Sequence, residues 1–295
     1  MLIKEAKNIL VVQLAGLGDM VLATPAISAL RQNYPGSRIF LLTNSRAADI
    51  VRGSEDIDEI FICDTVSAFL KLLKRLRSLH FDLVINLYRI YSFGGMIKML
   101  LLFTGIGGKY WAGRDTDGRG FFYTFKAADA LGGSRHEVER KLDIVRALGG
   151  KVDRIKFKIS YTREEEIALE NLFKKEGIDK QNALIGINCT TVSPGRNWTR
   201  EGYQGLAQRL VTEFPVEVVF CGNKLNYNIM GDFRAAPALR VKDMTGKLTL
   251  RQLVVFIRRC KLLISPDSGP GHIAASLGTP LVSLFGEGEY EKLRP

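Results

Sequence analysis

Leu262-Leu263-Ile264-Ser265-Pro266-Asp267-Ser268-Gly269-Pro270-Gly271-His272-Ile273-Ala274-Ala275 reads as a strand, a polar turn and a helix start. An apolar run stops at Ser265, and small residues suited to a helix begin near Pro270. Asp267 or Ser268 can cap that helix, and Pro270 suits its first turn. Such a helix start offers backbone N–H groups and partial positive charge, with Ser268 and His272 beside them. The ligand expected there is an anion such as a diphosphate.

The same grammar extends outward. Asn8 to Leu14, Arg38 to Thr43, Glu59 to Cys63 and Asp82 to Leu87 are short β-rich apolar runs separated by helical stretches. The helix that follows Asp19 is expected to kink or restart at Pro25, which cannot donate a helix hydrogen bond. Gly105 to Gly133 is glycine-rich, basic and aromatic with little periodicity, and is expected to be a long functional loop. Ser134 to Leu148 is an amphipathic helix stopped by Gly149-Gly150. The alternation then resumes, with strands at Ala183 to Asn188, Val216 to Cys221, Leu262 to Ser265 and Leu281 to Phe285. Strand–helix alternation implies an α/β fold with parallel, doubly wound sheets, here in two halves joined near residues 150–160.

A chain of 295 residues is long for one core, which agrees with two domains. The net charge of +11 calls for an anionic partner: nucleic acid, an acidic membrane surface or a phosphorylated substrate. The basic residues form no long block and are not interleaved with aromatics, so no nucleic acid is expected. Cys63, Cys189, Cys221 and Cys260 form no CxxC pair and read as thiols in a reducing compartment. The start of the chain lacks a signal-peptide pattern, and no segment reaches transmembrane length, so a cytoplasmic location is expected.

Gly16-Leu17-Gly18 fails as a dinucleotide fingerprint: Val21 stands where the third glycine belongs, and Thr43-Asn44 where a ribose-binding acid belongs. No Gly-Lys-Ser/Thr follows, so it is not a P-loop either. What remains is a turn presenting Asp19 at the carboxyl edge of a parallel sheet, where open α/β sheets bind ligands. The alternative is a helix-start acid stabilised by the dipole. In the second half, Thr190, Thr191 and Arg196 lie on a strand-to-helix loop whose hydroxyls and single guanidinium suit a diphosphate. The alternative there is a solvated loop with Trp198 as a packing anchor. Lys247 is a further candidate cation, or a surface lysine. His136 and Arg140, one turn apart, share a helix face that can hold a phosphate or carboxylate, or that is simply exposed. No nucleophile elbow, HExxH or EF-hand is present, so protease, lipase and metallohydrolase readings lose support.

Together these segments resemble glycosyltransferase family 9, the lipopolysaccharide heptosyltransferase family. The resemblance rests on Val12 to Ala26, His136-Glu137-Val138-Glu139-Arg140, Arg196-Asn197-Trp198, Gly246-Lys247 with Leu250, and Asp267 to Ala275 followed by Leu277-Gly278-Thr279-Pro280 and Leu284-Phe285-Gly286. It implies a GT-B architecture: two Rossmann-like doubly wound domains facing across a cleft, here 1–155 for the acceptor and 156–295 for the nucleotide sugar. It implies an inverting, metal-independent heptosyl transfer from ADP-heptose to an anionic lipopolysaccharide-core acceptor, with no cofactor. Asp19 would be the general base. Thr190, Thr191, Arg196, Asn226, Lys247, Leu248, Asp267, Ser268, Gly269 and His272 would line the donor. Gly18, Arg114, His136 and Arg140 would face the acceptor, and peripheral contact with the inner membrane surface is expected.

The chain departs from the family pattern in having Arg196 where Lys is usual and Asn226 where a ribose-binding acid is usual. It also reaches Arg294-Pro295 before the further segment with which family members usually continue. The competing readings are a non-catalytic nucleotide-sugar or anionic-glycan binding protein on the same fold, and a nucleotide-sugar epimerase.

Overall fold

The computed structural model describes residues 6–130, 134–179, 181–191, 197–225, 229–230 and 240–286. The chain divides into two compact units, Met1–Lys158 and Ile159–Pro295. In the first, β1 (Asn8–Gln13), β2 (Arg38–Thr43), β3 (Glu59–Ile62), β4 (Leu83–Asn86), β5 (Tyr110–Thr116) and β6 (Phe125–Asp129) form one parallel sheet in the order β3-β2-β1-β4-β5-β6. Growth runs outward from β1 on one side and from β4 on the other. The topological switch point therefore lies between the carboxyl ends of β1 and β4.

Helices α1 (Leu17–Val21), α2 (Thr24–Asn33) and α3 (Ser45–Val51) serve the first arm of the sheet. Helices α4 (Val66–Ser78) and α5 (Phe93–Ile106) serve the second. Because parallel crossovers are right-handed, reversing the direction of growth puts α4 and α5 on the opposite face. They pack side by side there, whereas α6 (Glu137–Ala147) packs on α2. Leu10, Phe40, Leu76, Val84 and Phe103 fill the core between the sheet and α4–α5. As expected, the chain breaks between α1 and α2, and Pro25 sits in the first turn of α2, where its missing N–H costs nothing.

The second unit holds α7 (Arg163–Glu176), β7 (Ala183–Asn188), α8 (Arg200–Glu213), β8 (Val216–Cys221), β9 (Val241–Asp243), α9 (Leu250–Arg259), β10 (Leu262–Pro266), α10 (Gly269–Leu277) and β11 (Leu281–Leu284). Its parallel sheet has the order β11-β10-β7-β8-β9, which puts the switch point between β7 and β10. Capping boxes at Thr162/Glu165 and Thr249/Gln252 start α7 and α9. Arg251 then grips Glu165 through both carboxylate oxygens, at 2.7 and 2.9 Å, tying the two helices together. All four cysteines are free thiols, and Cys189, Cys221 and Cys260 are buried.

The region Gly105 to Gly133 is not a long loop. Helix α5 continues to Ile106, and two strands, β5 and β6, follow. Its glycines serve close packing. A Cβ on Gly113 would stand 2.5 Å from the Tyr123 ring, and one on Gly120 would stand 2.5 Å from the Arg114 carbonyl.

Candidate active site

The turn after β1 carries Gly18 and Asp19. Asn44 fixes it from the neighbouring strand end. The Asn44 Oδ1 caps α3 by accepting from the Ala47 N–H at 2.9 Å, while its Nδ2 donates to the Ala15 carbonyl at 2.7 Å. The position where a dinucleotide site would have a ribose acid thus holds a clamp on the Asp19 turn. Gln13, buried at the end of β1, donates to the Asp19 carbonyl at 3.2 Å. Asp19 itself lies at the switch point of the first sheet.

Around it is a buried charged cluster. Glu137, at the first position of α6, receives Arg114 through both carboxylate oxygens and lies 3.2 Å from the Lys141 ammonium. Lys141 also donates to the Leu87 carbonyl at 2.9 Å. Asp129, at the end of β6, pairs with Arg140, with Arg89 at 3.2 Å and with Arg114 at 3.9 Å. The Thr116 hydroxyl donates to the same carboxylate at 2.8 Å. Burial pushes the Asp19 carboxyl above its ordinary value; Glu137 adds to that rise, while Lys141 and Arg114 oppose it. For Glu137 burial acts upward too, but the Lys141 and Arg114 charges win and hold it down at about 2. Burial lowers the Lys141 ammonium against the pull of Glu137.

Arg114 was expected on a basic loop facing a ligand. It lies on β5, fully buried, with its guanidinium committed to Glu137. His136 and Arg140 do not share an exposed helix face. His136 is the N-cap of α6, its Nδ1 accepting from the Val138 N–H at 3.2 Å. Arg140 is buried against Asp129 and donates to the Arg135 carbonyl at 2.8 Å. Sequence reasoning missed Glu137, Lys141, Asp129 and Arg89. The spacing of Glu137 and Lys141, four residues apart on one helix, was the one signal available.

At the switch point of the second sheet, amide and hydroxyl groups form the core of the arrangement. Asn188, fully buried at the end of β7, directs its Nδ2 at the Ser268 hydroxyl (2.9 Å), the Ser265 hydroxyl (3.1 Å) and the Thr190 carbonyl (3.1 Å). The Thr190 hydroxyl accepts from the Asn223 N–H at 2.9 Å. Gly222 makes this approach possible. Its φ is +118°, and a Cβ there would stand 2.2 Å from the Thr190 hydroxyl and 2.6 Å from the Asn188 side-chain Oδ1. The Gly246 N–H donates to the Gly222 carbonyl at 2.9 Å, which draws in the Lys247–Leu248 segment.

Ser268 occupies the N-cap position of α10, but its own side chain does not cap that helix. The Ser268 hydroxyl is turned to Asn188, Ser265 and the Pro266 carbonyl instead. Asp267 and Gly269 flank it, and His272 is buried one turn on. Thr191 follows Thr190, half-buried. Lys247 pairs with Glu176 at 2.7 Å on the surface. Asn188 is the polar residue that sequence reasoning left out of the candidate site. Arg196 and Asn226 lie outside the described residues. Among the described residues, no cluster of three His, Cys, Asp or Glu side chains could hold a metal ion.

An open depression of about 450 Å³, bordered by Arg77, His80, Asp82 and Lys109, lies at the amino edge of the first sheet. Open parallel sheets bind ligands at the carboxyl edge, where Asp19 and Asn188 stand, and this depression lies at the opposite edge.

The sequence profile described as glycosyltransferase family 9 (heptosyltransferase) matches residues 69–295. Lipopolysaccharide heptosyltransferase 3 of Escherichia coli (strain K12) is 27% identical over 293 residues, covering 94% of this chain and 82% of that protein. Among solved structures, a family 9 glycosyl transferase from Veillonella parvula superposes with a TM-score of 0.79 at 24% identity, covering 97% of this chain and 84% of that one. E. coli ADP-heptose lipopolysaccharide heptosyltransferase II superposes with a TM-score of 0.80 at 21% identity, covering 98% and 87%. The fold is therefore GT-B, with two Rossmann-like parallel-sheet domains.

Proposed function

The chain belongs to glycosyltransferase family 9, the heptosyltransferase family, and on that premise we propose that it moves a heptose from ADP-heptose to an anionic lipopolysaccharide-core acceptor with Asp19 as general base. The observation that carries this reading is the Asp19 carboxylate at the first switch point, its proton affinity raised by burial while the Lys141 and Arg114 charges oppose the rise. A base needs enough affinity to take a hydroxyl proton and enough local positive charge to remain ionised near neutral pH. Burial supplies the first, and Lys141 with Arg114 supplies the second.

In one displacement the acceptor oxygen bonds to the anomeric carbon as its proton passes to Asp19. The bond from that carbon to the β-phosphate oxygen breaks, its electrons leave with ADP, and the anomeric configuration inverts. Glu137, Lys141 and Arg114 act as positioning residues that set the charge around Asp19. In the second unit, the Gly269 N–H, the Ser268 and Thr190 hydroxyls, and Arg196 would receive the diphosphate, with Thr191 and His272 beside them. Asp267 would reach donor-sugar hydroxyls; Lys247, Leu248 and Asn226 would border the nucleoside. Gly18, His136 and Arg140 would shape the acceptor side. A lipid-linked acceptor would bring the enzyme to the cytoplasmic face of the inner membrane.

Incubation with ADP-heptose, with and without a core acceptor, tests the reading. ADP release that requires acceptor, with an inverted product anomer by NMR, is expected. Tight donor binding without transfer would favour a binding protein, and a product epimerised in the absence of acceptor would favour an epimerase.

A further inference from the structure

Helices α4 and α5 lie side by side on the same face of the first sheet, and their outward sides are unlike those of a solvated helix. On α5, Phe93, Ile97 and Leu101 recur every fourth residue and are 69%, 41% and 66% exposed. On α4, Val66 and Leu70 are 77% and 61% exposed at the same spacing. A fourth-residue repeat puts each set on one stripe. The inward residues Phe69, Leu72, Leu76, Met96, Met99 and Phe103 are already spent on the core, so the outward stripes are additional apolar surface.

Charge separates this face from a generic sticky patch. Neither helix contains an acid, whereas Lys71, Lys74 and Lys98 stand exposed among the apolar residues. Apolar stripes bordered by lysines on paired helices match the two layers of an anionic bilayer surface, headgroup phosphates outside and acyl chains below. Among the described residues no helix is long and apolar enough to cross a membrane, so contact would be in the interfacial plane.

The position of the patch also fits. Helix α5 starts at the carboxyl edge of the sheet, just after Tyr88 and Tyr91, whose hydroxyl pKa values are raised mainly by burial, with the nearby Asp19 charge, and for Tyr91 the Glu137 charge, adding to it. The stripe beginning at Phe93 therefore starts beside the proposed acceptor edge.

We propose that the paired outward faces of α4 and α5 dock the enzyme on anionic phospholipid. This deepens the reading of a membrane-seated acceptor and rests on that reading for its use, but the docking can be measured without turnover.

The test is flotation of the full chain with vesicles of phosphatidylglycerol and phosphatidylcholine, against vesicles of phosphatidylcholine alone. Binding to the anionic vesicles only, weakening as salt rises, is expected. Replacing Lys71 and Lys74 together by Gln should lower partitioning roughly thirtyfold. Leu101→Glu should abolish it. Both variants should keep wild-type turnover of a lipid-free core acceptor, which separates failed docking from failed catalysis. Equal binding of variant and wild type, no binding of the wild type, or binding to neutral vesicles as strong as to anionic ones would overturn the proposal. A self-associating chain in solution that Leu101→Glu turns monomeric would assign the face to a second copy instead.

Discussion

The two carboxyl edges solve different electrostatic problems with different residues. At the first switch point, Asp19 is buried within the field of Glu137, Lys141 and Arg114, while Glu137 and Asp129 are ion-paired with Arg89, Arg114, Arg140 and Lys141. At the second, Asn188, Ser265, Ser268 and Thr190 form a network of amide and hydroxyl groups. A base must carry its own charge, and the protein must tune that charge when the ligand there is a neutral hydroxyl. A diphosphate brings its charge with it, so oriented dipoles can do much of the work there, with the proposed Arg196 as the countercharge. The same strand–turn–helix scaffold serves both; what differs is the side chains that the strand ends and, in the first unit, α6 bring to it.

The largest expected break in this contrast is Glu137→Gln. It leaves Arg114 and Lys141 buried without their carboxylate and should cost about 3–5 kcal/mol in urea unfolding. The wild type carries the matching pH signature. The folded value of Glu137 is depressed from 4.5 to about 2. Its contribution, on the order of 3 kcal/mol, is thus complete above pH 4.5 and is lost as pH falls toward 2. An acid unfolding profile that is flat over that window, once other carboxylates are accounted for, would contradict the pairing.

A smaller effect is expected from importing charge into the amide and hydroxyl network. Asn188→Asp keeps the side-chain shape but places a carboxylate beside Ser268. ADP affinity measured by calorimetry should fall by about 2 kcal/mol, roughly thirtyfold. Unchanged affinity would separate Asn188 from the diphosphate. The mildest expectation is in the wild-type rate profile. Because the Asp19 value is raised above 3.8, the acid limb of kcat should lie above that of an ordinary aspartate. A limb at or below 3.8 would mean that the group losing its proton is not Asp19 in this environment.

Much of this architecture was legible in the sequence, and the exceptions share a cause. The apolar runs that became β1, β2, β4, β7, β8 and β10 announce buried parallel strands. The restart at Pro25, the Asp19 turn and the start of α10 are written in local chemistry. The strand β5 was hidden because its Gly113-Arg114-Asp115 looks solvated, whereas Arg114 is buried against Glu137 and Gly113 makes room for Tyr123. Likewise β9 is only three residues long, Val241–Asp243, too short to show a period. The same blindness affected the site. Sequence shows that Glu137, Lys141 and Asp129 are charged, but not that a fold brings residues from β6 and α6 into one buried cluster. It also shows Asn188 as a polar strand end, without showing that Gly222 lets Thr190 and Asn223 close around it.

The central claim is that Asp19 takes the acceptor proton and that the nucleotide is held elsewhere. Its most direct test is Asp19→Asn, with kcat for heptosyl transfer and the Kd for ADP measured on the same preparation. The account predicts a loss in kcat of about 10²–10⁴-fold, with ADP affinity unchanged. It also predicts a fold at least as stable as wild type, because burial of the Asp19 charge opposes folding above its ordinary titration range. Transfer at the wild-type rate by Asp19→Asn would contradict it.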